Sequence, residues 1–228
     1  MDDRFFSIEQ KYSQIENTFI NTRFFVDWTK DNLSTTSQAF EDLLLKIGDE
    51  FESYITEYVL LFNKKNKGYI NVFFECVDKK CYCLFYRGVK ILHTNMIIFP
   101  FLFLKTQRNG TKATSPDWWN KYNKLKHKRL DANNQNSISL KDVFEALSSL
   151  SLVKVCIING KCCPNSLNLA FSQEFNQKYH CDVAFKTDVF SYLSAKDFYK
   201  QGHFYLINEG KEVTKDVLND ILGVEYEI

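Results

Sequence analysis

The chain has 228 residues, 45% of them apolar and 16% aromatic, which excludes disorder and suffices for one domain with a sizeable core. Its 29 basic residues nearly balance 28 acidic ones for a net charge of +1, so the overall basic footprint of a nucleic-acid binder is absent and only a local patch can play that part. The opening MDDRFFSIEQKYSQIENTF has no apolar core of the signal-peptide type, and the most apolar run, Met96–Leu104, is too short to span a bilayer and contains Pro100. A cytoplasmic protein without membrane association is expected.

Taken in chain order, Ile8, Tyr12, Ile15, Phe19 and Val26 recur at spacings that predict an amphipathic helix over residues 8–28. Ser34–Thr36 offer hydroxyls to cap a second, longer helix. On it Phe40, Leu43, Leu44, Ile47, Phe51, Tyr54, Tyr58 and Leu61 hold the period for about six turns. Glu41, Asp42, Asp49, Glu52 and Glu57 fall on its other faces. Two long helices joined by a short link predict an antiparallel pair, the seed of a bundle. Tyr69–Phe85 is rich in β-branched and aromatic residues without alternation and reads as a third helix. An irregular apolar connection through Pro100 and an exposed loop over Gln107–Ser115 follow.

Ser115-Pro116-Asp117 is a helix start: Ser caps, Pro suits the first helical position, and Asp favours the positive end of the dipole. This helix is expected to run to about Leu130 and to stop in DANNQNS. Another begins near Ser139, with Leu140, Val143, Phe144, Leu147 and Leu150 as its core face. Beyond Asn159 the pattern weakens, leaving a short strand at HFYLI (203–207) and a last helix over Lys215–Leu222, capped by Thr214. The expected architecture is therefore mostly α. Residues 1–159 form a bundle of about four or five helices, and residues 160–228 form a small α/β C-terminal extension that holds any sheet.

Seven cysteines, an odd number in a chain without a secretory signal, give no reason to expect disulfides. Cys76, Cys81 and Cys83, then Cys162 and Cys163, then His180 and Cys181, lack the two clean Cys-x-x-Cys or His-x-x-x-His pairs of a zinc site. Neither a metal nor another cofactor is expected.

The residues with chemical potential crowd into SPDWWNKYNKLKHKRL, from Ser115. On a helix, Trp118, Tyr122, Leu125 and Arg129 share one stripe. Trp119, Asn123, Lys126 and His127 share the next, and Lys121, Lys124 and Lys128 a third. One face is thus aromatic and inward, another basic and outward, with Asn123 and His127 between them and Lys126 beside them. A histidine titrates near neutral pH and can move protons, an adjacent cation can stabilise charge on a phosphoryl group, and an amide can orient either. The same residues also fit a plain packing helix. Paired tryptophans at a helix start anchor cores, alternating lysines make solvated faces, and a single histidine beside a core stripe is commonly structural.

The run PDWWNKYNKLKHKR, preceded by FPF and followed by LKDVFEALSSL, resembles bacterial proteins of the HEPN-like helical superfamily, whose name refers to nucleotide binding in higher eukaryotes and prokaryotes. FEDLLLKIGDEFE resembles the second helix of that group, and the resemblance covers residues 5–155. It implies a helical domain that binds RNA or a nucleotide and pairs as a homodimer. In catalytic members it implies an endoribonuclease that needs no metal, of the kind found in toxin–antitoxin and phage-defence systems. Such members carry an Arg, a polar residue and a His on one helix. Carried onto this chain, Asn123 takes the polar position and His127 the histidine, while Tyr122 stands where the arginine belongs. Lys126 is the cation best placed to substitute, because Arg129 lies about 200° around the helix from His127. The resemblance thus assigns His127, Asn123 and Lys126 to catalysis and Lys121, Tyr122, Lys124, Lys128 and Arg129 to RNA or nucleotide binding. The alternative is a non-catalytic binding or scaffold module in which the Trp118–Arg129 helix is structural.

Overall fold

The structure, a computed structural model, describes residues 3–62, 69–80, 84, 88–92, 94, 96–101, 115–127, 137–162, 189–193, 204–206 and 212–213. The expected last helix (215–222), most of the loops 107–115 and 131–137, and Cys81, Cys83, Cys163, His180 and Cys181 lie outside these residues.

The first helix, α1 (Asp3–Ile20), buries Ile8, Tyr12, Ile15 and Phe19, the stripe expected of it. It stops at Ile20 rather than continuing to residue 28. A single 3-10 turn, Asn21–Phe24, follows, and Phe25 and Val26 both donate their N–H to the Thr22 carbonyl. The cause is Trp28. Its ring folds back to stack on Phe19 at 4.6 Å, and its Nε1 donates to Thr22 Oγ1 at 3.2 Å, which a continued helix would prevent.

The second helix, α2 (Gln38–Phe62), is capped by Ser37, whose Oγ accepts from the Phe40 N–H at 3.2 Å. The hydroxyls of Ser34–Thr36 do not serve as that cap. The link between α1 and α2 instead feeds the last helix of the bundle: the carbonyls of Leu33 and Thr35 accept from the N–H groups of Lys141 and Leu140. After α3 (Ile70–Lys80) come two short strands, β1 (Gly88–Ile91) and β2 (Met96–Ile98), where an irregular connection was expected.

Two more helices complete the bundle: α4 (Asp117–His127) and α5 (Leu140–Cys162). At the start of α5, Ser139 and Asp142 cap each other's backbone, with Ser139 N–H to Asp142 Oδ2 at 2.9 Å and Asp142 N–H to Ser139 Oγ at 3.3 Å. With the two link carbonyls, the first orphan N–H groups of α5 are thus satisfied. Every residue from 142 to 157 is buried, so α5 is the central helix, with α1, α2, α4 and β2 packed against it.

The architecture is mostly α, with five helices among the described residues and a small sheet. The sheet, expected only in the C-terminal stretch, is not confined to it. Strands β3 (Phe190–Leu193), β4 (Phe204–Leu206) and β5 (Glu212–Val213) join β1 and β2 in the order β3-β1-β2-β4-β5. Strand β1 runs antiparallel to β2 and β3, β2 runs parallel to β4, and β4 is antiparallel to β5. Helix α5 runs through residue 160 to Cys162, and the sheet takes strands from both sides of it.

Candidate functional site

Helix α4 begins one residue later than its start signal suggests. The Pro116 carbonyl accepts from Trp119 and Asn120 N–H, so Pro116 immediately precedes the helix and Asp117 opens it. The Ser115 hydroxyl donates to Asn120 Oδ1 at 2.7 Å instead of accepting from a backbone N–H.

The inner side of α4 is anchored on α2. Trp118 and Trp119 are 1% and 7% exposed, and both lie against Phe51, at 5.0 and 5.5 Å between ring centroids. Tyr122 is fully buried, with its ring 5.1 Å from Trp119 and directly over Gly48 of α2. A Cβ at position 48 would overlap that ring, so the absence of a side chain there is what lets α4 approach. The ring therefore has no open face on which a base could stack, contrary to the ligand contact assigned to Tyr122. Its hydroxyl donates to Asp49 Oδ1 at 2.7 Å. Burial, followed by that hydrogen bond and the nearby Glu52 charge, pushes the hydroxyl far above the usual phenol range, so it remains a donor.

The expected basic face is largely occupied. Lys126 donates to both oxygens of Glu52, at 3.1 and 3.0 Å, and to the Tyr122 hydroxyl at 2.9 Å, with Asp49 Oδ1 3.7 Å away. The Glu52 hydrogen bond leads the causes that raise the Lys126 ammonium above its ordinary pKa. Lys121 donates to both oxygens of Asp142, at 2.8 and 2.7 Å, tying α4 to the capping box of α5. The outer edge consists of half-buried Asn123 with exposed Lys124 and His127. Lys128 and Arg129 lie outside the described residues. The structure thus keeps Asn123 and His127 on one accessible edge and joins Lys126 to a cluster of acids rather than leaving it free.

Three carboxylates in this neighbourhood were not among the expected site residues: Asp49, Glu52 and Asp142. The signal for the first two is their i, i+3 spacing on α2, which matches Tyr122 and Lys126 at i, i+4 on α4 once the helices are known to be neighbours. A groove of about 660 Å³ runs beside them between α1 and α2, and Asp49, Glu50, Glu52 and Glu57 make it acidic. A fourth carboxylate, Glu145, is buried under the start of α5. Its Oε1 accepts no hydrogen bond, and Lys141 Nζ is 3.8 Å away. Desolvation pushes Glu145 up to about 7.

Among the described residues, no group of three or more His, Cys, Asp or Glu is arranged to hold a metal ion, and no helix is long and apolar enough to cross a membrane. No family model matches the chain, and neither a curated protein nor a solved structure shows significant similarity to it.

Proposed function

We propose that the chain is a HEPN-like helical domain that binds the phosphate of RNA or of a nucleotide through the outer edge of α4 without cutting it. The observation that carries this reading is a division along one helix: Asn123, Lys124 and His127 reach solvent, while Tyr122, at the motif's arginine position, is buried in the core. An arginine there would offer a fork of donors to the scissile phosphate. A buried phenol committed to Asp49 offers none. What the outer edge retains, one ammonium, one imidazole and one amide, suits weak anion binding.

The test is fluorescence anisotropy with a labelled single-stranded RNA, followed by competition with adenosine monophosphate to separate strand from nucleotide recognition. Affinity is expected to fall with salt at a slope of roughly 0.7 per phosphate contact. It is also expected to drop in Lys124→Ala and His127→Ala, with the RNA intact after incubation with a chelator. Binding that ignores salt and both substitutions would sink the reading and leave α4 as a purely structural helix in a scaffold module.

A second reading, a metal-independent endoribonuclease of a bacterial conflict system, is favoured by the four-residue spacing and shared exposure of Asn123 and His127. It requires cleavage in chelator that His127→Ala removes, by roughly a hundredfold or more. Either reading places the chain in the cytoplasm as a homodimer, with the two α4 helices near the two-fold axis. A monomer in light scattering at micromolar concentration would remove the dimer from both.

A further inference from the structure

An ammonium has three hydrogens to donate. In this chain all three of Lys126 are placed, two on Glu52 and one on the Tyr122 hydroxyl. No donor is left for a phosphate arriving at the outer edge, although Lys126 is one residue from His127 and three from Asn123. Nor is the arrangement locked. The side chains of Lys126, Glu52 and Asp49 are 39%, 42% and 66% exposed, so an incoming anion can reach the ammonium without opening the core. Tyr122 stays buried whichever partner Lys126 takes, because its ring is held by Trp119 and Gly48 and its proton by Asp49.

We infer that Glu52 competes with the ligand's phosphate for Lys126, so that this contact between α2 and α4 is an intramolecular restraint on anion binding at the α4 edge. The inference rests on the phosphate-binding reading above. It adds a residue on a different helix, Glu52, as the determinant of affinity. In the restrained state Glu52 holds the ammonium. In the liganded state the phosphate replaces Glu52, whose carboxylate turns to solvent at the mouth of the acidic groove. The ligand thus gains one ionic contact and loses part of its value to the contact displaced, which keeps the edge weak.

The full chain is titrated with labelled single-stranded RNA as wild type, Glu52→Gln, Lys126→Ala and the double variant, at several salt concentrations. Glu52→Gln is expected to bind about two- to fivefold more tightly, the scale of one exposed ion pair. Its salt slope should steepen, because no carboxylate is then freed to take up a cation as the phosphate binds. Lys126→Ala should weaken wild-type binding by less than it weakens Glu52→Gln, and should erase the whole gain in that background. A general loss of negative charge would instead raise affinity whether or not Lys126 is present, and that result overturns the inference.

If wild type binds and Glu52→Gln binds identically, the inference fails while the binding reading stands. If wild type does not bind but Glu52→Gln binds through Lys126, the restraint is supported and the reading of the wild-type chain falls. If no variant binds, both fall. Should Lys126→Ala lose its fold by circular dichroism, Lys126→Gln, which keeps the side chain's length without its charge, takes its place in the cycle.

Discussion

Two lysine–glutamate contacts in this chain have nearly the same length and opposite surroundings. Lys154 of α5 lies 3.2 Å from Glu9 of α1, with the lysine side chain wholly buried and its ammonium 4.0 Å from the centre of the Tyr12 ring. Lys126 of α4 lies 3.0 Å from Glu52 of α2, with both side chains open to solvent. The difference teaches that separation does not set what an ion pair is worth. In the core, the Lys154 ammonium has no water to fall back on, so it depends on its partner. At the surface water replaces either partner at little cost, and the pair is free to exchange. The first contact cannot lose one partner without stranding the other, and the second is suited to being broken by a ligand.

Removing each lysine separates the two contacts most clearly. Lys154→Ala leaves Glu9 without its cation and is expected to cost about 3–5 kcal/mol in urea unfolding. Combining Lys154→Met with Glu9→Leu should recover most of that loss, since apolar replacement of a buried pair is commonly neutral or stabilising. A double variant no better than the single would mean that packing, not charge, explains the loss.

Glu145 sharpens the contrast from the other side, as a buried carboxyl whose Lys141 stands too far away to hydrogen-bond. The folded chain keeps its proton up to a pH of about 7, whereas a glutamate ordinarily loses it at 4.5. This group's contribution to stability is therefore full below pH 4.5 and is lost as pH rises to about 7, because the unfolded state binds fewer protons in that window. The loss is on the order of 3 kcal/mol at about 1.4 kcal/mol per pH unit. Glu145→Gln should flatten the slope measured by chemical denaturation between those two pH values. An unchanged slope would show that Glu145 ionises freely in the fold.

Next in size comes Gly48→Ala, whose new methyl must push Tyr122 or part the two helices, at about 1–3 kcal/mol. Its melting temperature should fall while Lys121 and Asp142 still hold the far side of α4. Smallest of all, Lys126→Ala is expected to cost about 1 kcal/mol or less. A loss as large as that of Lys154→Ala would show that the exposed Lys126–Glu52 pair stabilises the fold as a buried one does.

The bundle was legible because apolar residues recur at the helical period along its longest helices. Phe40 to Leu61 on α2 and Leu140 to Leu150 on α5 repeat the helical period often enough to define a face. The strands β1 and β2 were not, because three or four residues with nearly every side chain buried leave no alternation to read. The early end of α1 was hidden for a different reason: Val26 happens to fall in phase with Phe19, and only Trp28 turning back on Phe19 reveals the break. At the candidate site, the inward tryptophans and the outward Asn123 and His127 followed from spacing along α4. The state of the lysines did not. Their carboxylate partners are remote in sequence, 74 residues for Lys126 and 21 for Lys121, and helical spacing says nothing across such gaps.

Because residues 142–157 are enclosed on every side, α5 is the partner that the other helices need in order to leave water. At least 139 residues precede it in the chain. As translation proceeds at roughly 5–20 residues per second, α1, α2 and α4 therefore keep the apolar surfaces meant for α5 uncovered until α5 itself has been made and has left the ribosome. A nascent chain stalled before residue 140 therefore exposes apolar surface of the kind that chaperones bind. Lys154 and Glu9, 145 residues apart, make the order visible: the first helix waits for its counter-charge until α5 is synthesised.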